Sequence, residues 1–264
     1  MPRSGTVGCV FVKICGTTNE DDALLAVALG ADALGFVFAP SRRQIRPDLA
    51  AEIVHRLPHG VVTVGVFRDE RPERVVDIVN RVGLTGAQLH GREPLSEVRW
   101  VRQRVQFVIQ AFAAGDAALA TAANGPADVV LVDSPSPGSG RVFDWALAEG
   151  APGGIRLLLA GGLNHENVGQ AIRRVRPWGV DVSTGVEAAP GRKDARKLRR
   201  FVEEARAAAD ALAAAPGGNG NGAYHGSDPD ERDMDSAYAY AHDDGGSERF
   251  VRADRPYDWA EDEV

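Results

Sequence analysis

Two side chains that could exchange protons stand at the ends of short apolar runs. Cys15 closes the run Val12–Cys15, and Asp133 closes the run Val129–Asp133. A thiolate can act as a base or nucleophile, and a buried carboxyl group can hold a proton because desolvation disfavours its charged form. By residue type alone, a lone cysteine is more often structural, and Asp133 could equally cap a helix. These two positions are therefore candidates for an acid and a base.

Two glycine-containing segments further along the chain could bind an anion. Glycine exposes backbone N–H groups, and beside a helix N-terminus such groups form a cradle for phosphate oxygens. A single glycine of this kind usually marks a tight turn, but two such segments after successive apolar runs predict a phosphate site. Its candidate residues are Gly161, Gly162, Ser183, Thr184 and Gly185.

Other polar residues near the ends of these runs could contact a ligand. Arg42 and Arg43 could offer a planar fork to a carboxylate, or they could form a solvated basic loop. Gln88 and His90 alternate along one run, so both could face the same interior, although a lone histidine is more often structural. We predict no metal site, because a proline separates the histidines at positions 55 and 59, which have ligand spacing.

The elements that would position these residues alternate regularly up to residue 216. The predicted strands are Val10–Ile14, Ala33–Phe38, Val61–Phe67, Ala87–Leu89, Phe107–Ala111, Val129–Asp133, Leu157–Ala160 and Val180–Val182. The predicted helices are Glu20–Leu29, Asp48–Arg56, Glu73–Val82, Leu95–Gln103, Asp116–Ala123, Asp144–Ala148, Asn164–Val175 and Asp194–Ala214. Eight strand–helix units predict a single (β/α)8 TIM barrel, whose catalytic face lies at the carboxyl ends of the strands. An open doubly wound sheet is the structural alternative.

The predicted helix boundaries rest on residues that commonly cap helices. Asn19, Asp48, Asn164 and Asp194 are expected to accept hydrogen bonds from unpaired N–H groups at helix starts, and Gly30 is expected to end the first helix.

Composition and charge narrow the function classes. The 264 residues are 44% hydrophobic with a net charge of -7, but residues 217–264 hold 13 acids and 4 arginines, whereas residues 1–216 hold 24 acids and 26 bases. We therefore predict a catalytic domain at 1–216, a disordered acidic tail at 217–264 and no nucleic-acid partner. No run approaches the ~18–20 apolar residues of a membrane span, so a cytoplasmic location is expected. Cys9 and Cys15 lie roughly 20 Å apart along one extended segment, beyond disulfide reach.

Seven segments together resemble the phosphoribosylanthranilate isomerases, the (β/α)8 enzymes of tryptophan biosynthesis. They occur in the family's order over about residues 10–205, and they read VKICGTTNEDDA, GADALGFVFAPSRRQIRP, VGVF, QLHG, LVDSPSPGSGRVFDW, LAGGLNHENV and GVDVSTGVEAAPGRKD. The resemblance implies that Cys15 is the general base and Asp133 the general acid. It further implies that Arg43 faces the anthranilate carboxylate, that Asp181 lies near the anthranilate nitrogen and that the two glycine segments bind phosphate.

The reaction implied by the resemblance is an Amadori rearrangement that needs no cofactor. It converts N-(5′-phosphoribosyl)anthranilate into 1-(2-carboxyphenylamino)-1-deoxyribulose 5-phosphate. The resemblance also implies that the protein is a monomer or a homodimer. A neighbouring cation is expected to lower the pKa of Cys15 towards working pH. The related histidine-pathway isomerase, which carries aspartate at the position of Cys15, is one alternative, and a non-catalytic phosphate-binding barrel is another.

Overall fold

The computed structural model describes residues 10–134, 145 and 154–215. Its strands are β1 (Phe11–Cys15), β2 (Ala33–Val37), β3 (Val62–Phe67), β4 (Gly86–Leu89), β5 (Phe107–Ala113), β6 (Val129–Asp133), β7 (Leu157–Leu159), β8 (Gly179–Val182), β9 (Glu187–Ala189) and β10 (Arg192–Lys193). Its α-helices are α1 (Glu20–Ala28), α2 (Pro47–Arg56), α3 (Pro72–Val82), α4 (Leu95–Arg102), α5 (Val168–Val175) and α6 (Ala195–Ala214). Two 3₁₀ helices are found at Ala117–Asn124 and Thr184–Val186.

Strands β1 to β8 form a closed parallel barrel within the described part of the chain. Closure is made by β8, which pairs with both β7 and β1, and Lys13 of β1 stands opposite Asp181 of β8 in the register. The predicted TIM barrel is confirmed, and the open sheet is wrong. After β8, the antiparallel pair β9 and β10 returns the chain to the start of α6.

The strand side chains divide between two environments because alternate residues point to opposite faces. One face packs against the helices and forms the larger hydrophobic core. The other fills the barrel, where Leu131 and Leu158 are fully buried and Phe11 stacks on Trp178 with 4.4 Å between the ring centroids. Towards the carboxyl ends of the strands, this inner face carries buried polar side chains instead, and these are Lys13, Gln88, Asp133 and Asp181.

Three of the predicted helix boundaries are confirmed. The Asn19 side chain accepts from the backbone N–H of Asp22 at the start of α1. Asp194 accepts from two backbone N–H groups at the start of α6. Gly30, with φ of +94°, directly follows Leu29, the C-cap residue of α1.

Two predicted caps are wrong. Helix α2 begins at Pro47, whose fixed φ suits the first helical position, so Arg46 takes the cap position and Asp48 lies inside the first turn. Asn164 accepts from the backbone N–H groups of residues 166 and 167, which makes a turn before the helix, and α5 begins only at Val168.

Other predictions differ from the structure or lie beyond it. The helix predicted at Asp116–Ala123 is a 3₁₀ helix over Ala117–Asn124. Cys9, residues 135–140, the predicted helix around Trp145 apart from that residue, and the tail 217–264 lie outside the described residues. None of the described helices is both long and apolar enough to cross a membrane.

Candidate active site

The end of β1 directs a lysine and a thiol into the barrel. Lys13 and Cys15 are two residues apart and share the inner face of the strand. Lys13 Nζ donates to Asp181 Oδ1 at 2.9 Å, and all three residues are buried. A Cβ built on Gly35 of β2 would lie 2.9 Å from Cys15 Sγ and 3.1 Å from Lys13 Nζ. The absence of a side chain at Gly35 therefore makes the space in which the thiol and the ammonium group come together.

The charge state of this group is set by burial and by neighbouring cations. Burial raises the pKa of the Cys15 thiol, and the opposing effects of Lys13 and Lys193 do not cancel the rise. The expected lowering is therefore wrong, because desolvation of the thiolate outweighs its attraction to the two ammonium groups. Burial also acts against the ammonium form of Lys13, but Asp181 and Cys15 outweigh it, so the pKa of Lys13 is raised.

Asp133, the acid candidate, ends β6 and is also buried. Its Oδ1 accepts from the backbone N–H of Ser134 at 2.7 Å, and its Oδ2 lies 3.5 Å from His90 Nε2. The Gln88 amide nitrogen lies 3.0 Å from His90 Nδ1. Strand alternation thus brings Gln88 and His90 beside Asp133.

One pocket joins the acid candidate to the glycine segments. Its lining consists of Asp133, Ala160, Gly161, Gly162, Leu163, Asp181, Val182, Ser183, Thr184 and Gly185. Gly161 and Gly162 have φ of +82° and +67°, which favour glycine, and a Cβ on Gly185 would lie 1.9 Å from the Leu163 carbonyl oxygen. The buried Ser183 hydroxyl has no hydrogen-bond partner among the described residues. This end of the pocket offers a polar hydroxyl and closely approaching backbone.

Arg43 is held at the mouth of the barrel by an acidic side chain. Its Nε and Nη2 donate to the two carboxylate oxygens of Glu187 at 2.8 Å each, and Nη2 donates to Thr184 Oγ1 at 3.1 Å. Lys193 Nζ donates to Glu187 Oε1 at 3.3 Å and to the Cys15 carbonyl oxygen at 2.6 Å. Arg43 and the end of β1 are therefore linked through two buried side chains.

The pairing of Arg43 with Glu187 favours the charged forms of both side chains. The hydrogen bond to Glu187 raises the pKa of Arg43. Burial works to raise the pKa of Glu187, but Arg43 and Lys193 outweigh it, so the carboxylate titrates below its ordinary range. Burial lowers the pKa of Lys193.

The sequence did not identify three residues of this site, Lys13, Glu187 and Lys193. Lys13 could have been found, because it precedes Cys15 by two residues and so shares its face of the strand. Of the two arginines that the sequence offers as a carboxylate fork, Arg42 is exposed, whereas Arg43 is half-buried at the site. No group of three or more His, Cys, Asp or Glu side chains within the described ranges could hold a metal ion.

A closed parallel barrel with titratable side chains and a glycine-lined pocket at the carboxyl ends of its strands defines a (β/α)8-barrel enzyme. The model of the N-(5′-phosphoribosyl)anthranilate isomerase family matches residues 12–204. The chain belongs to this family.

Individual relatives match over nearly their whole length. The N-(5′-phosphoribosyl)anthranilate isomerase of Desulforudis audaxviator is 52% identical over 205 residues, covering 75% of this chain and 98% of the relative. The crystal structure of the Thermus thermophilus phosphoribosyl anthranilate isomerase has a TM-score of 0.70 and 45% identity, covering 74% and 98% of the two chains. A phosphoribosyl anthranilate isomerase in complex with reduced 1-(o-carboxyphenylamino)-1-deoxyribulose 5-phosphate has a TM-score of 0.66 and 42% identity, covering 75% and 100%.

Proposed function

We propose that Asp133 and Cys15 act as general acid and general base in the Amadori rearrangement of N-(5′-phosphoribosyl)anthranilate. Family membership makes the chain an isomerase of tryptophan biosynthesis, and the proposal concerns the side chains that move protons. The observation that carries it is the pocket lined by both Asp133 and the glycine segments. Asp181 lines the same pocket and is bonded to Lys13, beside Cys15.

The first step opens the sugar ring. Asp133 donates a proton to the ribose ring oxygen, and the bond between that oxygen and C1′ breaks. The lone pair of the anthranilate nitrogen forms a double bond to C1′, which gives an iminium ion. The positive charge of this ion makes the hydrogen at C2′ acidic. A positioned acid of this kind typically contributes ~10²–10⁴-fold to the rate.

The second step is proton removal at C2′. The Cys15 thiolate takes the proton, the C–H electrons form the C1′–C2′ double bond, and the iminium electrons return to nitrogen. The resulting enolamine becomes the ketone when the C2′ hydroxyl loses its proton and C1′ gains one. The reaction is therefore a net isomerisation without an external oxidant or reductant.

The remaining groups hold the substrate across these two positions. The backbone around Gly162 and Gly185 is suited to the 5′-phosphate, and so is the Ser183 hydroxyl, which has no partner among the described residues, since N–H and O–H donors match phosphate oxygens. Arg43 is suited to the anthranilate carboxylate because a guanidinium group donates charge-assisted N–H hydrogen bonds to such a group. Asp181 lines the same pocket as the glycine segments, and we expect it to lie near the anthranilate nitrogen.

Fluorescence of freshly prepared phosphoribosylanthranilate tests this function. We expect the purified chain to abolish the signal and form the ketose, and Cys15→Ser and Asp133→Asn to slow turnover by about 10²-fold or more. Asp77→Asn, at an exposed position of α3, is the matched control.

Preference for the phosphoribosyl aminoimidazole substrate of the histidine pathway would instead support the alternative isomerase. Binding of substrate without turnover would support a non-catalytic barrel.

The domain division is part of the proposal. The family match ends at residue 204 and α6 ends at Ala214, so we expect a chain truncated after residue 216 to keep full turnover. Loss of turnover on truncation would assign the tail a catalytic contribution.

The oligomeric state needs a separate measurement. Size-exclusion chromatography with light scattering distinguishes the expected monomer or homodimer from larger assemblies.

A further inference from the structure

The guanidinium group of Arg43 is fixed along one edge. Of its five N–H donors, two are used by Glu187 at 2.8 Å and one by Thr184 at 3.1 Å. The Nη1 amino group has no hydrogen-bond partner among the residues that the structure describes. The bound edge therefore sets the direction in which Nη1 points.

Glu187 is itself held from several sides. Its side chain is 4% exposed, and besides Arg43 it accepts from Lys193 Nζ and from the backbone N–H of Gly191, both at 3.3 Å. Lys193 is buried and also donates to the carbonyl oxygen of Cys15. Because two other donors, Lys193 and the Gly191 backbone, hold Glu187, it can fix the arginine in turn.

We propose that Glu187 is a positioning residue that directs the Nη1 group of Arg43 at the carboxylate of the substrate's aromatic amine. The inference rests on the proposed function and deepens it, since Glu187 would thereby set selectivity for carboxylated arylamines. Two cations surround one anion in the Arg43–Glu187–Lys193 group, so the group retains a positive charge for the incoming carboxylate.

The same contacts relate the carboxylate end of the substrate to the base. Lys193 bonds both to Glu187, the partner of Arg43, and to the backbone carbonyl oxygen of Cys15. A change at Glu187 should therefore affect binding of the carboxylate through Arg43, without removing any group that touches the reacting carbons.

Two ligands that differ by one carboxylate test the proposal. One is reduced 1-(o-carboxyphenylamino)-1-deoxyribulose 5-phosphate, and the other is its phenylamino counterpart without the carboxylate. We expect Glu187→Gln to weaken the first by about tenfold or more, because charge-assisted hydrogen bonds are lost or misdirected, and to leave the second unchanged. In an Arg43→Met background, Glu187→Gln should have no further effect on either ligand.

Controls keep the outcome decisive. Glu203→Gln, at an exposed position of α6, should bind both ligands as the parent does. Glu187→Asp keeps the charge but is too short to preserve both 2.8 Å bonds, so it should weaken only the carboxylated ligand and serves if the glutamine variant fails to fold. Equal weakening of both ligands, or of neither, would overturn the proposal. If the parent chain failed to turn over phosphoribosylanthranilate, the proposed function would fail separately.

Discussion

Lys13 and Asp181 form a buried ion pair on directly opposed positions of β1 and β8, with Nζ 2.9 Å from Oδ1. Each charge is costly to bury alone, and each is compensated by the other. Because Cys15 lies two residues after Lys13 on the same face, the pair also places an ammonium group beside the thiol. One ion pair thus lies both between the paired strands β8 and β1 and beside the candidate base.

Removing one member of this pair should destabilise the barrel. Lys13→Met leaves the Asp181 carboxylate buried and unpaired, and we expect the free energy of unfolding to fall by about 3–5 kcal/mol. The double variant Lys13→Met/Asp181→Asn removes the unpaired charge and should recover much of this loss without restoring turnover. Urea unfolding compares the three proteins, and a double variant no more stable than the single one would contradict the assignment.

The pH dependence of catalysis should report the buried thiol. The base acts as a thiolate, so kcat/KM falls as pH drops through the thiol pKa. Burial raises that pKa, which places the rise of kcat/KM on the alkaline side of the ordinary value of about 8.5. Initial rates over the alkaline range check this, with circular dichroism as a control for folding. A plateau already complete at neutral pH would contradict the prediction.

In the Lys13→Met variant, the rise of kcat/KM with pH should occur at a still higher pH than in the parent. Lys13 lowers the thiol pKa against the effect of burial, so its removal leaves burial less opposed. The measurement is the kcat/KM profile of any residual activity beside that of the parent. If kcat/KM rose at the same pH in both proteins, Lys13 would not act on the base.

Gly35→Ala should disturb the base without removing it. The added Cβ would lie 2.9 Å from Cys15 Sγ and 3.1 Å from Lys13 Nζ, so both groups must shift. We expect kcat to fall by about tenfold or more while KM changes less, since a small misplacement of a catalytic group is costly. Steady-state kinetics on phosphoribosylanthranilate tests this, and parent-like kcat would contradict the described geometry.

Gly185→Ala should act on phosphate binding. Its Cβ would lie 1.9 Å from the Leu163 carbonyl oxygen, so the segments after β7 and β8 must separate. We expect KM to rise by about tenfold or more and inorganic phosphate to inhibit less well. Gly169→Ala in α5 is the matched control, because its Cβ meets chiefly the flexible end of Arg173, and it should behave as the parent. An unchanged KM for Gly185→Ala would argue against a phosphate site there.

Much of the barrel could be predicted because its signals are local. Buried parallel strands read as short apolar runs, and Val129–Asp133 has the same bounds in prediction and structure. Local signals also compete, however. Pro47 at the first helical position overrides Asp48 as the start of α2.

The site was predicted only in part because several of its contacts come from segments distant in sequence. Glu187 meets Arg43 across 144 positions, and Lys193 meets the Cys15 carbonyl across 178. Neither contact leaves a pattern within one segment. The direction of the Cys15 pKa shift depends on whether burial of the thiolate outweighs its attraction to Lys13 and Lys193. The sequence gives no measure of that balance.

The kcat of Cys15→Ser, measured beside its affinity for reduced 1-(o-carboxyphenylamino)-1-deoxyribulose 5-phosphate, tests the central claim most directly. A serine hydroxyl keeps the shape of the site but is a far poorer base at working pH. We expect turnover to fall by about 10²-fold or more while ligand affinity stays close to that of the parent. Parent-like turnover with intact binding would remove Cys15 from the mechanism.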